Sequence, residues 1–262
     1  MLVARGLARS RDRARELIRS GAVTVDGTTS GKPSARIRED SEIVVDDPRA
    51  HYVGRAAGKL KGALNSFPGV IVRGARVLDA GASTGGFTQV LLEQGARQVV
   101  AVDVGRGQLA DVVAADPRVV EYSGTDIRAV LPDDVGGPFD LIVADLSFIS
   151  LRLVLPALAA LTSASGQVIA LVKPQFEAGR EALDSRGVVR NPALRAAAVA
   201  DVVQAAEAVG LRCREVAASE VPGAAGNAEF FLLLDSLAEV GLGLSEVRDA
   251  VLLNQPGLEG RG

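Results

Sequence analysis

Two lysines and two carboxylates occupy positions from which the chain could gather them around one reacting proton. Asp145 follows the apolar run DLIVA, Lys173 follows VIALV, Glu229 opens EFFLLLD, and Lys59 lies within RAAGKLKGALNSF. Ligands of open α/β sheets bind outside the carboxyl ends of the parallel strands. Asp145 and Lys173 therefore belong at that edge, and an antiparallel last strand would bring its start, with Glu229, to the same place. A lysine can take a proton from a weakly acidic hydroxyl if burial or a second cation lowers its pKa from ~10.4 towards ~7–8. The other amine and the two carboxylates would tune and orient it. Taken singly, Lys173 reads equally well as an exposed strand end, Glu229 as a loop cap and Lys59 as a surface helix residue. It is the four together, at these positions, that point to chemistry.

The elements that would position them alternate in type. VLDA, QVVAVD, RVVEY, DLIVAD, QVIALVK, CREVAA and EFFLLLD read as strands, with helical stretches between most of them. This predicts an α/β fold with a Rossmann-like, doubly wound sheet of seven strands, the last two pairing antiparallel because no helix separates them. The first strand runs into GASTGG and then a helix. Gly81, Gly85 and Gly86 would let the backbone approach a ligand, and the helix start would offer free N–H groups. The turn is neither G-x-G-x-x-G nor a G-K-[ST] phosphate loop. It resembles the GxGxGG-type turn of S-adenosylmethionine (SAM) methyltransferases, which implies that Gly81, Ala82, Ser83, Gly85, Gly86 and Phe87 lie against the cofactor, with Asp145 beside it. Asp103, ending the second strand, stands where such sheets hold ribose hydroxyls. Asp126, after the third strand, would lie near the adenine, or would serve equally well as a helix N-cap.

At 262 residues the chain can hold one ordinary domain and a small one. It has no apolar run long enough to span a membrane and no signal-peptide core at its start, and its only cysteine, Cys213, rules out an internal disulfide. A reducing, cytoplasmic setting is expected. With His51 as the only histidine, no metal site is expected and catalysis by Ser–His–Asp or Cys–His groups is disfavoured. Acid–base work falls to carboxylates, lysine or tyrosine. Of 29 basic residues only Lys32, Lys59, Lys61 and Lys173 are lysines. Arginine cannot release its proton, so a lysine persisting in this background is a candidate for chemistry.

Residues 1–40 hold nine basic and five acidic side chains, whereas the rest of the chain is net acidic. This implies an anionic partner at the amino-terminal end. The spacing there predicts two short helical pieces, LVARGL and Arg11–Arg19, the second capped by Ser10 and stopped by Gly21, with Leu17 and Ile18 inward. Small strands follow in AVTVDG and SEIVV. This segment resembles the alpha-L RNA-binding motif, which implies RNA contacts through Arg5, Arg9, Arg11, Arg13 and Arg19. The expected domains are residues 1–46, a linker at 47–54 and a catalytic domain at 55–262. Pro174–Pro192 is charged, glycine-rich and aperiodic, and is expected to be a mobile loop over the substrate. LSEVRDAVLLNQ should form a last helix before a disordered tail.

The motifs GRAAGKLKGAL, LDAGASTGGFTQVLL, ADLSFISL, LVKPQFE and GNAEFFL follow in that order behind the basic segment. Over nearly the whole chain they resemble the TlyA family of ribosomal RNA 2′-O-ribose methyltransferases, with an FtsJ-like catalytic domain. The resemblance implies SAM as cofactor, cytidines of ribosomal RNA or of assembled ribosomal subunits as substrate, and a Lys-Asp-Lys-Glu tetrad on Lys59, Asp145, Lys173 and Glu229, with Lys173 as the base. Where the family carries a linker tryptophan, this chain has His51-Tyr52. Three rivals remain open. A base-nitrogen methyltransferase would usually carry prolines after the fourth strand, where this chain has Asp145-Leu146-Ser147-Phe148. A membrane-active haemolysin, the name some family members bear, would need a span or a long basic amphipathic helix. A non-catalytic RNA-binding protein would keep the fold without binding SAM. Phe148 itself reads either as core or as a stacking surface for a nucleotide.

Overall fold

Apolar strands of five or six residues, each continuous enough to be buried on both faces, build the larger part of the molecule. The computed structural model describes residues 1–8, 11–19, 21–46 and 51–255, without the side chains of Asp12, Arg13, Glu16 and Ala224. Ser10, Arg9 and the chain end after Gln255 lie outside the described residues. The chain divides into two compact units, Met1–His51 and Tyr52–Gly262.

In the first unit, helix α1 (Arg11–Arg19) is followed by strands β1 (Val23–Val25), β2 (Thr28–Thr29) and β3 (Ile43–Val45), arranged β2-β1-β3. Gly21, with φ +75°, ends α1, and the Ala22 N–H closes it on the Leu17 carbonyl at 3.0 Å. Asp26 and Gly27, both at positive φ, form the two-residue turn joining β1 to β2. Leu2, Ala8, Leu17 and Val23 make the small core, with Ile18 packed partly against it. The LVARGL helix expected from sequence is absent. The Arg5 and Leu7 N–H groups close a single turn on Met1 and Leu2, and Gly6 at φ +72° ends it.

The second unit runs α2 (Ala56–Ser66), β4 (Arg76–Ala80), α3 (Gly86–Glu93), β5 (Gln98–Asp103), α4 (Asp111–Ala114), β6 (Val119–Ser123), β7 (Phe139–Ala144), α5 (Leu155–Leu161), β8 (Thr162–Val172), α6 (Pro174–Glu177), α7 (Pro192–Ala208), β9 (Arg212–Ala218), β10 (Phe230–Asp235) and α8 (Leu244–Leu253). Seven strands lie in the order β6-β5-β4-β7-β8-β10-β9. The β6-β5-β4-β7-β8 pairings are parallel, and β10 runs antiparallel to both β8 and β9. Helices cover both faces. Leu60, Phe87 and Val113 bring α2, α3 and α4 onto the face that carries Val77, Val143, Leu171 and Phe231. Leu158, Val199 and Val247 bring α5, α7 and α8 onto the other.

Two expected boundaries shift. Tyr52 and Val53 belong to the second unit rather than to a linker: Tyr52 is buried with its hydroxyl donating to Glu93 at 2.6 Å, and the Val53 N–H donates to Gln89 at 3.0 Å. Pro174–Pro192 is not an aperiodic loop but is built on α6 and three anchors. Glu177 is buried and accepts from the Leu151 N–H and the Ser150 hydroxyl. Asp184 accepts from the N–H groups of Arg186 and Val188, and the Asn227 side chain bonds Val189 and Gly187.

Candidate active site

Side chains alternate along a strand, and that alternation gathers the tetrad. Val143, Leu171 and Phe231 face α2 and α3, so Asp145, Lys173 and Glu229, each an even number of residues away, continue on that face just beyond the strands. Phe230 pairs with Val172, and one residue further Glu229 stands opposite Lys173. Helix α2 contributes Lys59 from above.

The result is two ion pairs. Lys59 Nζ lies 2.6 Å from Glu229 Oε2, with both side chains almost fully buried at 5% and 2% exposure. Lys173 Nζ lies 2.6 Å from Asp145 Oδ1 and donates to Ser147 Oγ at 2.7 Å. Asp145 Oδ1 is buried and has this ammonium as its partner. Both lysines are buried, and Lys173 differs in having the exposed Ser147 as a neighbour.

The glycine turn forms the neighbouring wall. Gly81 and Gly85 adopt φ of +87° and +92°, and a Cβ on Gly81 would stand 2.7 Å from the Asp145 carbonyl. Both positions require glycine. The Asp103 carboxylate accepts from the N–H groups of Ser83 at 2.8 Å and Gly105 at 2.7 Å, which holds the end of β5 against the turn. Ala82, Ser83 and Asp103 line one small cleft with Gln108, Leu109 and Ser123. Gly86 begins α3, whose N-cap, Gly85, offers no side-chain acceptor. Two expected cofactor contacts take other work. The Phe87 ring is buried and packs 6.4 Å from the Phe231 ring, which leaves only its backbone N–H for a ligand. Asp126 caps a short 3₁₀ turn through the Arg128 N–H and pairs with the Arg128 guanidinium at 2.6 Å.

The sequence motifs do not single out Asp79. It is fully buried in β4, accepts from Thr88 Oγ1 at 2.6 Å through Oδ2, and leaves Oδ1 unpartnered. Burial pushes its carboxyl up to about 7, opposed by the Thr88 bond and reinforced by the Asp145 charge. Between the unfolded value near 4 and about 7, the folded protein holds a proton that the unfolded chain has lost. Stability from this group is full at low pH and declines as pH rises through 7, by up to about 4 kcal/mol. Asp79→Asn should therefore flatten the fall in melting temperature between pH 5 and pH 8. Parallel melting curves for the two proteins across that range would refute this assignment.

Phe148 is not core. It is 91% exposed at φ +64°, with its ring 5.3 Å from the Phe176 ring. In the first unit, Arg5 is spent on structure, its guanidinium donating to the Ser41 carbonyl at 2.7 Å and to that of Glu39. Arg11 and Arg19 are exposed on α1, whereas Arg9 and the Arg13 side chain lie outside the description.

The FtsJ-like methyltransferase profile matches residues 52–236 and the S4 domain profile matches residues 1–43. The chain is 48% identical to the 16S/23S rRNA (cytidine-2′-O)-methyltransferase TlyA of Mycobacterium tuberculosis, over 95% of this chain and 93% of that protein. This chain belongs to the TlyA family of FtsJ-like methyltransferases. Another relative, Hemolysin A of Brachyspira hyodysenteriae, is 34% identical over 86% of this TlyA-family chain and 93% of its own length. A solved structure described as a hemolysin from Streptococcus thermophilus superposes with a TM-score of 0.77 at 35% identity, covering 95% of this chain and 91% of that one. The family's S4 and FtsJ-like parts coincide with the two compact units, and the FtsJ-like match begins at Tyr52, where the second unit begins.

Proposed function

We propose that this TlyA-family protein transfers the methyl group of SAM to the ribose 2′-hydroxyl of a cytidine in 16S or 23S ribosomal RNA, or in both, with Lys173 as the general base. The observation that carries this reading is the pair of buried-edge ion pairs, Lys59–Glu229 and Lys173–Asp145, beside the Gly81 turn. SAM supplies an electrophilic methyl group on a sulfonium centre. The residues present suit it: a turn that only glycine can adopt, the Asp103 carboxylate for ribose hydroxyls, a helix start free of side-chain caps, and an unpartnered buried oxygen on Asp79 for a cationic ligand. Gly81, Ala82, Ser83, Gly85, Gly86, Asp103 and Asp145 would hold it, whereas Asp126 is paired with Arg128. Lys173 takes the hydroxyl proton, and Asp145 stabilises the ammonium so formed. The buried Lys59–Glu229 pair holds the far side of the site and places a second cation near the first. Phe148, exposed next to Ser147, offers a face on which the target base stacks.

Incubation with tritiated SAM and each purified ribosomal subunit, followed by nuclease mapping of the labelled nucleotide, tests the whole reading. Label on a ribose oxygen of a cytidine supports it; label on a base nitrogen, or none, overturns it. The hemolysin name of two relatives supports a second reading, membrane lysis, which leakage of lipid vesicles at physiological salt would test.

RNA binding is proposed to run partly through the basic first unit, by Arg9, Arg11, Arg13 and Arg19, with Arg5 supporting the fold. Changing Arg9, Arg11 and Arg13 together to alanine should weaken rRNA binding. The slope of log K against log salt should also fall, by up to about 0.9 for each phosphate no longer neutralised. An unchanged slope would remove this segment from the interface.

A further inference from the structure

We infer that Ser147 is a positioning residue for the base: its hydroxyl, together with the Asp145 carboxylate, fixes the direction in which the Lys173 amine faces the acceptor oxygen. This rests on the reading of Lys173 as the base given above. Ser147 Oγ accepts a hydrogen bond from Lys173 Nζ at 2.7 Å, and Asp145 Oδ1 lies 2.6 Å from the same amine.

A neutral lysine has two N–H bonds and one lone pair. With one N–H tied to Ser147 and the other drawn towards Asp145, the lone pair occupies the remaining tetrahedral direction, and a hydroxyl must approach from there to be deprotonated. In that step the O–H bond breaks and its proton joins Nζ. The oxygen uses the freed electron pair to bond the methyl carbon while the C–S pair returns to sulfur. Lys173 is left as an ammonium that passes its proton to solvent.

Phe148, the next residue, adopts φ +64°, a conformation costly for an aromatic residue. Its ring is exposed 5.3 Å from the Phe176 ring, while Ser147 bonds Lys173. The charged groups on this face of the site are Asp145 from the end of β7, Asp79 from β4, and the Lys59–Glu229 pair from α2 and β10. All but Ser147 are acids or their counter-ions, so the serine is the neutral hydrogen-bonding element of the set.

Ser147→Ala and Ser147→Thr, compared in the full chain for kcat and KM against pH with ribosomal subunits and tritiated SAM, test this. Ser147 is exposed, so neither change disturbs the core. The alanine variant should lose about ten- to a hundredfold in kcat with KM for the subunit unaltered. Threonine should restore it. Wild-type kcat in the alanine variant, or a threonine variant as impaired as alanine, overturns the inference. Lys173→Ala assayed alongside separates the two claims: activity retained there removes the base itself, whereas an inactive Lys173→Ala with an unaltered Ser147→Ala overturns only the role of the serine.

Discussion

Lys173→Ala is expected to lose methyl transfer by about 10²- to 10⁴-fold, the range that a positioned general base contributes, with SAM affinity unchanged. The separation follows from where the side chain spends its contacts. Lys173 reaches the proposed cofactor wall only through Asp145, whereas the rest of that wall, the Gly81 turn with Asp103, is held together by the Ser83 and Gly105 N–H groups. Single-turnover transfer of tritium to RNA reads the first quantity and calorimetry with SAM the second. Transfer at wild-type rate would reject the base assignment. A parallel loss of SAM binding would instead make Lys173 part of the cofactor site.

Glu229→Ala is expected to destabilise the protein by about 3–5 kcal/mol, because it leaves the Lys59 ammonium buried at 5% exposure with its partner gone. Much of that loss should return when both members are replaced by apolar side chains of similar size, Lys59→Met with Glu229→Leu, since a well-packed apolar pair commonly matches a buried ion pair in stability. Activity should not return with it. Denaturant unfolding of the wild type, both single variants and the double variant gives the coupling energy, and the transfer assay supplies the second axis. A stable double variant with full activity would reduce the pair to a structural element and take Lys59 and Glu229 out of the chemistry.

The parts legible in the sequence are those written in local periodicity. Helix α1 spans Arg11–Arg19 as Gly21 and the apolar pair Leu17-Ile18 require, and the seven strands appear in order because each apolar run is bounded by glycine or charge. The shared edge of Asp145, Lys173 and Glu229 is legible because all three sit at strand ends, where topology alone fixes the edge. What escapes is set by contacts remote in sequence. Strand β8 begins at Thr162, earlier than expected, because Thr162 pairs with Phe139 although TSASG carries no strand signal of its own. Pro174–Pro192 looks aperiodic because its order comes from Glu177 reaching Ser150 and Leu151, and from Asn227 reaching Val189. The Phe87 ring turns inward because it joins the core beneath α2 and α3, where it meets the Phe231 ring, which the turn motif does not encode. Asp79 could have been found: a lone acid within an otherwise apolar central strand has nowhere solvated to go.

Strand β10 lies between β8 and β9 although it follows both in the chain. A nascent polypeptide that has emerged only as far as β9 therefore exposes the open rim of β8, and β9 has no neighbour to zip onto. Phe230–Leu234, which fill both faces of the slot, are made only after the other six strands of the sheet. The carboxylate that neutralises Lys59 enters at the same moment, so the Lys59–Glu229 pair cannot form before the sheet's last strand is made. A stop codon upstream of Glu229 would yield an adhesive five-stranded sheet, β6-β5-β4-β7-β8, and not a weakened enzyme.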